Sequence, residues 1–114
     1  MNGSVAAEQN PGLKKGSSPK KGDHPLSSAS IHECLSQLPY WKHSGKEITR
    51  LFTFKNFYET IAFVNVLAYI ANQEDHHPDL EVGYKTCKVR YSSHELGGLS
   101  ENDFICAAKI DGLF

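Results

Sequence analysis

Three histidines and several acidic side chains lie within about thirty residues in the second half of the chain. His76 and His77 are adjacent and precede Pro78, and His94 and Asp103 follow further along. The unperturbed pKa of imidazole lies near neutrality, so one histidine can both donate and accept a proton within a turnover. Such side chains around a small ligand could protonate a leaving hydroxyl group and remove a proton elsewhere. This chemistry is typical of a dehydratase or an isomerase that acts on a polar heterocycle.

The same residue types also allow a metal site, because three imidazoles and a carboxylate are a sufficient ligand set. Adjacent histidines usually cannot both point at one ion, however, and no HExxH-like helical spacing is present. Ordinary structural explanations exist as well: the histidine pair suits a helix C-terminus, Asp103 suits a capping box and Tyr84 suits a cross-strand contact. Acid and base catalysis without a metal is favoured, and a metal-dependent hydrolase is a lower-ranked possibility.

The histidine pair follows the most strongly periodic segment of the chain. Apolar residues recur at helical spacing from Phe57 to Asn72, and Asn56 with Glu59 is a candidate capping pair at its start. The predicted apolar stripe consists of Phe57, Ile61, Val64, Ala68 and Ala71. Other apolar residues flank it, so we expect this helix to cover a sheet on one side and another subunit on the other. A homodimer or homotetramer through Phe57–Ile70 is expected.

A predicted β-hairpin places the third histidine. The apolar residues of 80–84 stand at even-numbered positions and those of 87–91 at odd-numbered positions, which indicates a turn near Lys85 and Thr86. When these strands pair, the start of the first lies beside the end of the second. We therefore expect His76, His77 and His94 to converge at one end of the sheet.

The remaining segments complete an α+β architecture. A capping box of Ser30 and Glu33 predicts a first helix, Ile48–Phe54 alternates as a strand, and Ser100 with Asp103 caps the last helix. The order α-β-α-β-β-α, with space for one more short strand before the first, implies an antiparallel sheet with helices packed on one face.

Composition limits the function classes. The chain has 114 residues, 12 Lys and Arg, 13 Asp and Glu and a net charge of -1, which argues against a nucleic-acid-coating protein. No apolar run reaches the length of a membrane span. The three cysteines lack CxxC spacing, so we expect free thiols and a cytoplasmic protein. Residues 1–26 are rich in Gly, Pro and Ser and are predicted to be a disordered tail before a single domain, 27–114.

These residues resemble a known signature. The segment His76-His77-Pro78 is followed at set spacings by Tyr84, His94 and Asp103, as in the pterin-4a-carbinolamine dehydratase family. Similarity extends from about Leu35 to Asp111. It implies a four-stranded antiparallel sheet with helices on one face, assembled as dimers or dimers of dimers.

The resemblance also implies an activity without a cofactor or metal. Family members remove water from 4a-hydroxytetrahydropterin to give quinonoid dihydropterin, as part of tetrahydrobiopterin recycling. By this resemblance the catalytic residues are His76, His77 and His94, of which two shuttle protons and one orients the ring. The expected substrate-binding residues are Asp75, Ser92, Ser93 and Glu95. The expected supporting residues are Pro78, Tyr84 and Asp103.

One position departs from the family pattern. An acidic or other charged residue usually stands four positions before the first histidine, where this chain has Asn72. Since an amide does not titrate, we expect the tuning of His76 to differ. A second function remains open, because some family members bind transcription factors through the dimer-forming helix, here Phe57–Ile70. The alternative is thus a protein-binding dimerisation or coactivator module.

Overall fold

A computed structural model describes residues 24–114, which form a sheet covered by helices. The first half of this region contains α1 (Ser28–Ser36), β1 (Lys42–Ser44), β2 (Glu47–Thr53) and α2 (Phe57–Glu74). The second half contains β3 (Asp79–Val82), β4 (Thr86–Tyr91), a 3-10 turn (His94–Leu96) and α3 (Glu101–Asp111). The predicted α+β order is confirmed, and the short strand before β2 is present.

The four strands form one antiparallel sheet in the order β1-β2-β4-β3. On β4, Cys87, Val89 and Tyr91 are completely buried, whereas the residues between them are half-buried. Successive residues of β4 therefore lie on opposite faces of the sheet, as the alternation in the sequence predicts. The buried face carries the core, to which α2 and α3 contribute Phe63, Leu67, Ile70, Phe104 and Ile110.

Helix α2 extends two residues past its predicted end, and its buried face is not the predicted one. The buried residues are Thr60, Phe63, Leu67, Ile70, Ala71 and Glu74. Of the predicted stripe, only Ala71 is fully buried, and Phe57 is 49% exposed. That choice of stripe was wrong because the helix is apolar on more than one side, so spacing alone does not identify the side that contacts the sheet.

The N-termini of α1 and α2 contrast in how well the sequence predicts them. Asn56 caps α2, and its side chain accepts a hydrogen bond of 2.8 Å from the Glu59 amide, as expected. The prediction for α1 was wrong: Ser27 is the N-cap and accepts from the amide of Ser30, which lies within the helix. Ser27, Ser28 and Ser30 stand close together, and only Ser30 has a Glu three positions later, so the capping-box pattern selects a serine that lies inside the helix.

The folded part of the chain includes the last residue of the predicted tail. The Leu26 amide donates to the Leu99 carbonyl at 2.8 Å, and the Leu26 side chain packs against the core. The rest of the predicted tail up to residue 23 lies outside the described residues. Cys34, Cys87 and Cys106 are free cysteines. Within residues 24–114, no helix has the length and apolarity needed to cross a membrane.

Candidate functional site

The histidine pair is presented by the C-terminus of α2. Asp75 has a left-handed conformation, with φ 50°, and the His76 amide donates to the Ala71 carbonyl at 3.1 Å. The Asp75 amide donates to the Asn72 carbonyl at 3.2 Å, so the helix ends in a Schellman motif. This motif usually uses glycine, because an L side chain in the left-handed region costs about 1–2 kcal/mol. The turn gives His76 and His77 different surroundings, since the first is buried and the second exposed.

His76 is held by a buried carboxylate. Its Nε2 lies 2.6 Å from Asp103 Oδ1, and Asp103 is completely buried. A carboxylate only accepts hydrogen bonds, so Nε2 of His76 carries the proton of this bond. The ring also stacks on Tyr91, with centroids 5.4 Å apart, and the Tyr91 hydroxyl donates to the His76 carbonyl at 3.2 Å. His76 is thereby fixed in one orientation.

Asp103 joins this histidine to α3 and to the loop after β4. Its Oδ2 accepts from the Ser100 amide and from Ser93 Oγ, each at 2.9 Å. The first of these bonds belongs to the predicted capping box of Ser100 and Asp103, which is confirmed. The carboxylate therefore accepts three hydrogen bonds, and it both caps α3 and supports His76.

His94 lies in a short loop that returns on itself. Ser93 and Gly98 form an isolated antiparallel bridge, and the 3-10 turn between them carries His94 and Glu95 on the surface. The His94 side chain is 82% exposed. Its Nε2 lies 3.2 Å from Ser92 Oγ and 3.9 Å from Asp79 Oδ2.

Asn72, the residue that departs from the family pattern, contacts the second histidine. Its Oδ1 lies 3.1 Å from His77 Nε2, and both side chains are exposed. The sequence analysis linked position 72 to the tuning of His76, whereas in the structure this position contacts His77. In a Schellman motif the chain reverses after α2, which brings His77 back over the last helical turn, whereas His76 turns toward α3.

The contacts link the two histidine-bearing segments at one end of the sheet. His76 is connected to Ser93 through Asp103, and His94 lies next to Asp79, which follows the half-buried Pro78. Tyr84 does not lie with this group. It is 66% exposed in the turn at the other end of the β3–β4 hairpin and stacks on Phe57 at 6.5 Å.

Sequence reasoning missed a layer of buried ionisable groups beneath His76. Tyr91 and Cys106 are each completely buried, and burial raises the pKa of Cys106 to about 12 and that of Tyr91 far above its ordinary range. Glu74 is 2% exposed and forms an ion pair with Lys109. Within the described region, Glu74 Oε1 is the buried side-chain oxygen without a hydrogen-bond partner. Glu74 continues the helical spacing of Leu67, Ile70 and Ala71, which was the available signal.

A metal ion in a protein needs several ligand side chains close together. Across residues 24–114, no group of three or more His, Cys, Asp and Glu side chains could hold a metal ion. Asp103, the carboxylate nearest to His76, instead accepts its three hydrogen bonds from protein groups.

Comparison with known families decides the assignment. The family model described as "Pterin 4 alpha carbinolamine dehydratase" matches residues 24–113. The chain belongs to this family. The match contains both histidine segments and all of the described helices and strands.

Bacterial relatives agree with the assignment. A protein of Nitrosospira multiformis, whose name assigns it provisionally to the pterin-4-alpha-carbinolamine dehydratases, is 58% identical over 90 residues, covering 79% of this chain and 80% of its own. A protein of Xanthomonas campestris pv. campestris with the same name is 58% identical over 99 residues, covering 84% of each. The names of these relatives, most of whose length this chain covers, support a pterin dehydratase.

Solved structures agree on the fold. A transcriptional coactivator/pterin dehydratase from Brucella melitensis superposes with a TM-score of 0.74 at 30% identity, over 77% of this chain and 96% of its own. A pterin dehydratase-like protein identified as a RuBisCO assembly factor in the alpha-carboxysome has a TM-score of 0.54 at 22% identity, over 64% and 84%. The second similarity shows the fold alone.

Proposed function

We propose that the protein is a 4a-hydroxytetrahydropterin dehydratase that acts by histidine acid and base catalysis. The reaction breaks the bond between C4a and its hydroxyl oxygen as that oxygen receives a proton. The N5 proton is removed, a C4a–N5 double bond forms, and water and quinonoid dihydropterin leave. No redox change occurs, so two proton carriers are sufficient, and the proposal includes neither a cofactor nor a metal.

The observation that supports this mechanism best is the contrast among the three histidines. His76 is buried with its Nε2 bonded to Asp103, whereas His77 and His94 are exposed. A group that exchanges protons with a ligand must be accessible to it. We therefore assign proton transfer to His77 and His94. We assign to His76, whose imidazole is fixed, the role of orienting the pterin ring.

Polar groups at the same end of the sheet suit the rest of a pterin. Its amino group and ring N–H groups are hydrogen-bond donors, for which the exposed carboxylates of Asp75 and Glu95 are suitable acceptors. Ser92 can both donate and accept. Pro78 supports the site by fixing the backbone after the histidine pair. We place the reaction in tetrahydrobiopterin recycling in the cytoplasm.

A stopped-flow assay with 4a-hydroxytetrahydropterin tests the proposal. The wild-type protein should accelerate dehydration, and the His76→Ala, His77→Ala double variant should lose this acceleration. His77→Ala and His94→Ala should each lower kcat by about 10²–10⁴-fold, the usual contribution of a positioned acid or base. His32→Ala, which removes an exposed histidine of α1, is the matched control and should have wild-type rates. Full activity in the double variant would exclude histidine catalysis.

The proposed assembly is a homodimer or homotetramer formed through Phe57–Ile70. The supporting observation is a set of exposed aromatic rings on α2, among them Tyr58 at 82% and Tyr69 at 58%. Sedimentation velocity should show an oligomer. The double variant Tyr58→Glu, Tyr69→Lys places charges on this surface and should be a monomer. Tyr40→Glu, at a tyrosine outside α2 that is 68% exposed, is the control. A monomeric wild type would contradict the assembly.

The second candidate function is a protein-binding dimerisation or coactivator module. The same exposed aromatic surface favours it, together with the coactivator name of the Brucella melitensis structure. The dehydration assay separates the two candidates, because a module without catalysis would leave the spontaneous rate of dehydration unchanged.

A further inference from the structure

One buried hydroxyl group fastens the His94 loop to the rest of the site. Ser93 is completely buried, and its Oγ donates to Asp103 Oδ2 at 2.9 Å. Ser100 Oγ lies 2.6 Å from Ser93 Oγ. Because the single proton of the Ser93 hydroxyl goes to the carboxylate, the Ser100 hydroxyl is the donor in this second bond. The donor capacity of Ser93 is thus used entirely within the protein.

The carboxylate that accepts from Ser93 also accepts from His76. Asp103 Oδ1 lies 2.6 Å from His76 Nε2, while Oδ2 binds Ser93. The connection runs from the turn after α2, through the first turn of α3, to the loop after β4. All three side chains are buried, so water does not compete for these hydrogen bonds.

The backbone of Ser93 closes the loop that carries His94. The Ser93 amide donates to the Gly98 carbonyl at 2.9 Å, and the Ser93 carbonyl accepts from the Leu96 amide at 2.9 Å. His94 is the next residue along the chain and has an exposed side chain. Its position therefore depends on where Ser93 is anchored.

We propose that Ser93 is a positioning residue, whose hydroxyl holds His94 at a fixed distance from the His76–Asp103 pair and does not contact the substrate. The inference rests on the proposed function, and it replaces the expectation that Ser93 binds the pterin. A small displacement of an acid or base lowers the rate of proton transfer strongly. Loss of the anchor should therefore affect kcat, whereas loss of a substrate contact would affect binding.

The kinetic test compares Ser93→Ala and Ser93→Thr with wild type. Ser93→Ala should lower kcat about tenfold while KM, and the Kd for dihydropterin, stay within about twofold. Ser93→Thr keeps the hydroxyl group and should recover most of kcat. Ser36→Ala, the same change in an exposed serine of α1, is the control. An increase in KM with unchanged kcat, or no effect at all, would overturn the proposal.

Hydrogen exchange tests the anchor without any assay of activity. In Ser93→Ala the Leu96 and Gly97 amides, which bond within the loop, should exchange at least about tenfold faster, while the amides of β4 should keep their protection. If all amides lose protection, the comparison moves to Ser93→Cys, which retains a weak donor. Loop amides that exchange at the wild-type rate would overturn the proposal. A wild type that exchanges as expected but lacks dehydratase activity would refute the proposed function alone.

Discussion

Two ionisable side chains close to Tyr91, the ring that stacks on His76, are buried. Cys106 is completely buried, and Glu74, which is 2% exposed, forms an ion pair with Lys109. Burial is the main cause of the raised pKa values of Tyr91 and Cys106. Both groups therefore stay neutral in the folded protein well above pH 7, and the Tyr91 ring that stacks on His76 carries no charge there.

These raised pKa values make stability dependent on alkaline pH. The Cys106 thiol ionises near 9.0 when unperturbed and at about 12 in the folded protein. Between these values the unfolded chain loses a proton that the folded chain keeps, so the free energy of unfolding falls as pH rises. Urea denaturation at a series of pH values above 8.5 should show this decrease, and Cys106→Ala should make it shallower.

Ile110→Val is the control for that experiment, since it alters an equally buried residue of α3 that does not titrate. Its free energy of unfolding should have the same pH dependence as that of wild type. A slope in Cys106→Ala equal to the wild-type slope would show that the thiol does not ionise as the structure requires.

At the scale of elements, the two ends of α2 differ in how far the sequence predicts them. At the N-terminus Asn56 and Glu59 have the residue types of a cap, and the cap is present. At the C-terminus the helix continues to Glu74 and ends at Asp75 in the left-handed region. Glycine or asparagine would have signalled that stop. An aspartate gives no such signal, because its conformation depends on the surrounding structure.

The cap at the N-terminus can be separated from the site at the other end. Helix α2 has 18 residues and is about 27 Å long, so Asn56 lies far from the histidines. Asn56→Ala should lower the free energy of unfolding by about 1 kcal/mol, because the Glu59 amide loses its acceptor. Urea denaturation measures this change. Unaltered kcat and KM are expected, and a large loss of activity would show that the helix termini are coupled.

At the scale of the whole molecule, strand parity and order along the chain were enough to predict the antiparallel sheet and its buried face. They were not enough to predict which groups each histidine contacts. His76 and Asp103 are 27 residues apart, and their contact depends on the packing of α3 against the end of α2. Tyr84 lies beside the hairpin turn that the pattern predicted near Lys85 and Thr86, at the end of the strands opposite the histidines, and only the family resemblance grouped it with the site.

The most direct test of the account is a crystal structure of the protein with dihydropterin bound. We expect the ring to lie between His77 and His94, with His76 and Asp103 still bonded and the Ser93 hydroxyl making no contact with it. N5, and the position that the hydroxyl oxygen on C4a occupies in the substrate, should each lie within hydrogen-bonding reach of an exposed imidazole, directly or through one water. A ring bound at another surface, or one whose C4a and N5 face away from both exposed histidines, would contradict the account.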